Sequence, residues 1–242
     1  MNSKLILRIL SLFLAVTITG KAQSASGATQ LTPVDISYTI SFVSDKYGSA
    51  ILGRVQTILK KTEKGYTVES ATETEGLAAI LMGENIQENC EFELHNNRVV
   101  SQHYAGGQVQ PGDYTVTYSW PDRKINFANG ESLDMPQGYI LDSCNLPFAA
   151  ALMRIEDLIT EKIYVVDGDK MRVRGYSLKS IEKENLISKI GNIDTIRVIL
   201  ERELTPDRTL SFWFSPEHSY APVKIEQQRK NRTTTLTVDS IN

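Results

Sequence analysis

Apolar residues fall on every second position over Asp35–Phe42 (Ile36, Tyr38, Ile40, Phe42), which marks a strand with one buried face. Asp45-Lys46-Tyr47-Gly48 turns the chain. Ile51–Leu59 and Tyr66–Thr72 continue the pattern across a turn at Glu63-Lys64-Gly65. Glu84–Leu94 and Arg98–Tyr104 read as a hairpin around His95-Asn96-Asn97, and Gly106–Gly112 as a loop. Asp113–Trp120 alternates again. Lys124–Ala128 follows it and ends at Asn129-Gly130, a pair suited to a tight hairpin turn. Further strands are predicted over Lys162–Val166, Met171–Ser180, Glu184–Lys189, Ile193–Arg202, Thr209–Ser215, Tyr220–Gln228 and Thr233–Ser240. Gly191 and the Asp167-Gly168 pair are expected at turn positions that require positive φ.

Two segments break the alternation. Gly76–Met82 is apolar throughout and reads as a short helix capping the sheet or as a buried strand. Leu146, Phe148, Ala149, Ala150, Leu152, Met153 and Ile155 give a helix with a wide apolar face over about 145–157. Asp142, Ser143 or Asn145 would cap it, and Pro147 is tolerated in the first turn. About a dozen short strands and one main helix predict a mainly β fold. The expected architecture is a single antiparallel, strongly curved sheet forming a closed or half-open barrel.

Ahead of this pattern, Lys4 and Arg8 precede an apolar run from Ile9 to Ile18, and Gly20-Lys21-Ala22 offers small residues for cleavage. Residues 1–22 read as a secretory signal peptide, because the run is too short to span a bilayer. No Cys follows the run to carry a lipid, so no permanent membrane anchor is expected after cleavage. Residues 23–33 read as a flexible lead-in and 34–242 as one domain. The expected address is the periplasm.

Composition narrows the picture. The chain has 242 residues, 41% hydrophobic and 23% charged, in keeping with a soluble globular protein. The formal charge is −3, and losing residues 1–22 would leave 23 basic and 29 acidic residues, a net of −6. That argues against a nucleic-acid partner. Export makes a disulfide the default for Cys90 and Cys144, with two free buried thiols as the alternative.

Several short motifs occur in order: Leu141-Asp142-Ser143, Tyr164-Val165-Val166-Asp167-Gly168, Ile190–Thr195, Trp213-Phe214-Ser215-Pro216 and Tyr220–Ile225. Together they resemble the bacterial exported family called domain of unknown function 3108, over most of residues 36–240. The resemblance implies a mostly β envelope protein and brings no catalytic residues. Cys90 and Cys144 lie outside the family pattern. The architecture also looks like the half-open barrels of periplasmic lipoprotein carriers, a likeness of fold alone.

Candidate chemistry is sparse. His95, His103 and His218 stand at no metal-motif spacing, and there is no Gly-x-Ser-x-Gly elbow or phosphate-binding glycine loop. No cofactor, metal or catalytic residue is predicted. Glu73, Glu75, Glu84 and Glu88 read as a solvated strand edge, and Arg229-Lys230-Asn231-Arg232 as an exposed hairpin turn. What remains is a cavity inside the curved sheet. Its candidate lining is Leu77, Ile80, Leu81, Met82, Phe148, Leu152, Met153 and Trp213, with the alternative that these residues fill the core. The expected function is therefore a non-enzymatic periplasmic protein that binds a lipid-like apolar ligand or an envelope protein. A solid-core assembly protein is the alternative, and an envelope-glycan hydrolase stands behind both.

Overall fold

The computed structural model describes residues 30–75, 86–107, 114–153 and 155–242, so the predicted signal peptide and the Gly76–Met82 segment lie outside the described residues. Alternation produces strands where it was read. The strands are β1 (Val34–Ser44), β2 (Gly48–Lys61), β3 (Tyr66–Thr74), β4 (Ile86–His95), β5 (Arg98–Gly107), β6 (Tyr114–Ser119), β7 (Lys124–Phe127), β8 (Ser132–Asp134), β9 (Tyr139–Asp142), β10 (Ile163–Asp167), β11 (Arg172–Ser188), β12 (Gly191–Arg202), β13 (Arg208–Ser215), β14 (Ala221–Arg229) and β15 (Arg232–Ile241). They form one sheet in the order β8-β7-β6-β5-β4-β3-β2-β1-β15-β14-β13-β12-β11-β10-β9.

Three expectations are corrected. The sheet is mixed, because β9 and β10 pair in parallel. The sequence between them explains this: residues 143–162 carry two short helices, and a parallel pair needs a long crossover, which helices supply. The single helix predicted over about 145–157 is those two helices, α1 (Leu146–Leu152) and α2 (Ile155–Thr160). Met153 breaks the run by taking extended backbone, with φ −67° and ψ 131°. Finally, Met171–Ser180 and Glu184–Lys189 are one strand, β11, which runs unbroken through 181–183 and carries its irregularity between Leu178 and Ser180.

The sheet is not closed by hydrogen bonds between its end strands, β8 and β9. It curls far enough that β9 comes beside β5 and β6. The Ser101 hydroxyl on β5 donates to the Ile140 carbonyl on β9 at 3.1 Å, and the Tyr118 hydroxyl on β6 donates to Asp142 at 3.3 Å. The main core fills the curl. It includes Val68, Phe92, Tyr104, Leu141, Phe148, Leu200, Phe212 and Leu31. All seven residues of α1 are buried, as a helix apolar on every side must be.

A second cluster joins Ile36, Tyr38, Ile40, Val55, Leu186, Ile193, Trp213, Val223 and Val238. Leu186 and Ile193 sit near the tip of the long β11–β12 hairpin, which therefore reaches back over β1 and β15. Lys189, in the hairpin turn, pairs with Asp239 at 2.7 Å and fixes that contact.

Candidate functional site

The turn entering α1 sets the site. Asp142 ends β9 with its carboxylate fully buried. Its Oδ1 accepts the backbone N–H groups of Cys144 and Asn145 at 3.1 and 2.9 Å. The Asn145 side chain does not cap α1 but turns back, its Oδ1 accepting the Asp142 N–H at 3.1 Å. Asn145 Nδ2 donates both to Asp142 Oδ2 at 2.8 Å and to the Ser101 hydroxyl at 2.9 Å. Burial pushes the Asp142 carboxyl up to about 7, against the opposing pull of these hydrogen bonds.

The same turn brings Cys144 to Cys90 on β4, where the sulfurs meet at disulfide distance with Cα atoms 6.1 Å apart. Cys90, Cys144 and Asp142 are also the one group of potential metal ligands among the described residues. With the two sulfurs joined, they offer no thiolate pair to an ion.

Beside this turn lies a cavity of about 520 Å³. On the β4–β6 side its wall is polar. Tyr104 donates to Glu88 Oε1 at 2.5 Å, and its hydroxyl lies 2.8 Å from that of Tyr114 and 2.7 Å from that of Ser143. Tyr114 and Ser143 also reach Glu88 Oε1, both at 3.3 Å. Burial first, and then the charge of Glu88, raises the hydroxyls of Tyr104 and Tyr114 well above the ordinary tyrosine range, so both stay protonated. Two glycines make room for Tyr114: a Cβ on Gly106 would strike its hydroxyl, and a Cβ on Gly168 would strike its ring. Gly168 is thus required by close approach and not by the positive φ expected for it, which Met171 adopts at 45° instead.

The floor is apolar, with Phe148 of α1 facing Leu210, Phe212 and Ile225. The β10–β14 side carries Asp167, Lys170, Arg172, Arg174, Arg208 and Arg229. Asp167 pairs with Arg172 at 3.2 Å and with Arg174 at 2.5 Å.

Of the expected lining, Phe148 is in the wall. Leu152 and Met153 are buried in the main core behind it. Leu77, Ile80, Leu81 and Met82 lie outside the described residues. Trp213 is elsewhere. Period two places it on the face opposite Phe212 and Phe214, in the second cluster, where its indole N–H donates to Glu184 at 2.9 Å. Arg197 and Lys224 stand over its ring at 4.6 and 4.0 Å.

Sequence reasoning missed the tyrosines and the arginines. Glu88, read as a solvated edge, is the acceptor of the buried tyrosine cluster. Arg229 does begin the expected hairpin turn, yet it also lines the cavity. The Arg172-x-Arg174 and Arg208-x-Leu210-x-Phe212 spacings were available signals, each placing residues on one strand face.

No curated protein matches the chain. A crystal structure from Brucella abortus, described as a beta-barrel-like protein of domain of unknown function DUF1849, is similar with a TM-score of 0.55 at 12% identity, covering 88% of this chain and 98% of that one. At that identity the likeness shows the fold alone. A putative outer membrane lipoprotein-sorting protein domain from Vibrio parahaemolyticus aligns with a TM-score of 0.24 at 10% identity, over 86% of this chain and 84% of its own. Among the described residues no helix is long and apolar enough to cross a membrane. The motifs that run from Leu141 to Ile225 lie inside a match over residues 37–239, and by that match the chain belongs to the family described as Protein of unknown function (DUF3108).

Proposed function

We propose that this protein is a non-enzymatic binding protein of the cell envelope that holds a ligand with an apolar part in the cavity beside α1. The cavity carries the reading. Its volume of about 520 Å³ falls in the range of small-molecule sites, roughly 300 to 1,000 Å³. Its floor is built from Phe148, Leu210, Phe212 and Ile225. Binding fits the site better than turnover does. Glu88 Oε1 is shared by Tyr104, Tyr114 and Ser143, and Asp167 is held by two arginines, so both wall carboxylates are already engaged. The exported address rests on the predicted signal peptide and agrees with paired cysteines.

Native mass spectrometry of protein purified from its own envelope tests the reading. A bound mass of a few hundred daltons, lost when Phe148→Asp places a charge in the floor, is the expected result. A clean apo mass together with a stoichiometric co-purifying protein would replace it with surface recognition.

A further inference from the structure

We propose that the ligand is an anionic amphiphile, with an oxyanion head held by Arg174, Arg208 and Arg229 and an apolar chain laid along Leu210, Phe212 and Phe148. This inference rests on the cavity being a binding site, and it names the class of ligand.

The first argument is charge without compensation. Neighbouring strands bring Arg174 (β11), Arg202 (β12), Arg208 (β13) and Arg229 (β14) together, and all four border a small cleft that adjoins the cavity. Among the described residues, Asp167 is the one carboxylate in this part of the wall, and Arg172 and Arg174 already share it. Among the described residues, Arg202, Arg208 and Arg229 have no ion pair. The Nε–H groups of Arg174 and Arg208 are buried with no acceptor. A guanidinium cannot shed its proton to escape this, so the positive charge of the cluster stays in place.

The second argument is register. Arg208 and Arg229 are directly opposite each other in the β13–β14 ladder. Like charges at such positions repel. Arg229 is an exposed residue at the end of its strand, yet partial desolvation and the neighbouring Arg208 both push its guanidinium below its ordinary value. A shared oxyanion would relieve the repulsion, since the planar fork of arginine matches a phosphate or carboxylate.

The third argument is polarity along the strands. With a period of two, Arg208 leads to Leu210 and Phe212 on β13, while Arg229 leads to Gln227 and Ile225 on β14. Every one of these residues borders the cavity. The wall therefore grades from cationic to polar to apolar over two residues per step, which is the profile of a molecule with a charged head and a greasy tail. In a chain with a formal charge of −3, this is a local concentration and not a generally basic surface.

Isothermal titration of the purified protein with decyl phosphate, decanol and inorganic phosphate tests the assignment. Decyl phosphate is expected to bind at least tenfold more tightly than either of the others. Arg208→Gln and Arg229→Gln should each weaken decyl phosphate at least fivefold and leave decanol unchanged. Without ligand, Arg208→Gln should melt at or above the wild-type temperature, because it removes a repulsion; a clear fall in melting temperature would overturn the claim that this charge is uncompensated. Equal affinity for decyl phosphate and decanol, unmoved by the arginine variants, would overturn the anionic head while leaving the apolar site standing. Inorganic phosphate binding as tightly as decyl phosphate would overturn the amphiphile in favour of a free oxyanion. If neither amphiphile binds, the cavity reading falls with it.

Discussion

Asp142 and Asn145 clasp each other through three hydrogen bonds: the Asp142 N–H to Asn145 Oδ1 at 3.1 Å, the Asn145 N–H to Asp142 Oδ1 at 2.9 Å, and Asn145 Nδ2 to Asp142 Oδ2 at 2.8 Å. The clasp joins the end of β9 to the start of α1, and through Ser101 it reaches β5. It is a fully buried polar cluster, so its protonation bears on stability.

Asp142 has a folded-state value of about 7 against an ordinary value of 3.8. Between these values the folded state holds more protons than the unfolded chain. Its stabilising contribution is full below about pH 4, falls as the pH rises towards 7, and is level above that. Thermal unfolding from pH 4 to 8 should show a descending component that Asp142→Asn abolishes. The same substitution sets two amide donors against each other at Asn145 Nδ2 and should cost about 1–3 kcal/mol at pH 5. A wild type and variant with parallel pH profiles would contradict this assignment.

The Cys90–Cys144 link closes a loop with a sequence separation of 54. On the chain-entropy account it stabilises by about 4 kcal/mol. Urea unfolding of the Cys90→Ala/Cys144→Ala protein should report a loss of that size, and dithiothreitol should lower the wild type by a similar amount without affecting the variant.

Tyr114 fits only because Gly106 and Gly168 lack side chains. Gly168→Ala should destabilise by about 1–3 kcal/mol through overpacking. In a Tyr114→Ala background the same change should cost almost nothing. Additive costs in this double-mutant cycle would show that the ring is not what the glycine accommodates.

Trp213 belongs to the second cluster and not to the cavity. Trp213→Phe should lower stability by about 2 kcal/mol, the worth of a hydrogen bond to a charged partner. It should leave the affinity for decyl phosphate unchanged, whereas Phe212→Ala, its neighbour on the opposite face, should weaken binding severalfold. Calorimetry on the two variants distinguishes them.

Strand positions were legible because burial on one face writes itself as alternation, as in Ile36, Tyr38 and Ile40. The Asn96-Asn97 turn was legible too, and both residues take positive φ, 54° and 62°. Which face of a strand points inward is a different matter. Alternation gives Phe212 and Trp213 equal standing, and only the curl of the sheet separates them. The parallel β9–β10 pair depends on where a helical crossover lands, and no local pattern records that. The arginines at 174, 208 and 229 are far apart in sequence and meet through strand register alone. Glu88 looked solvated because its partners, Tyr104, Tyr114 and Ser143, come from other elements.

The contact of β9 with β5 and β6 is made by side-chain hydrogen bonds such as those from Ser101 and Tyr118 and by buried Ile140, Leu141 and Val116, with no backbone ladder across it. Parting the wall there would break these bonds and uncover Ile140 and Leu141, while sparing the pleated framework. The covalent tie from Cys144 to Cys90 on β4 staples the two sides of this seam, so the curl is locked at its mouth by a covalent bond where a closing ladder is lacking.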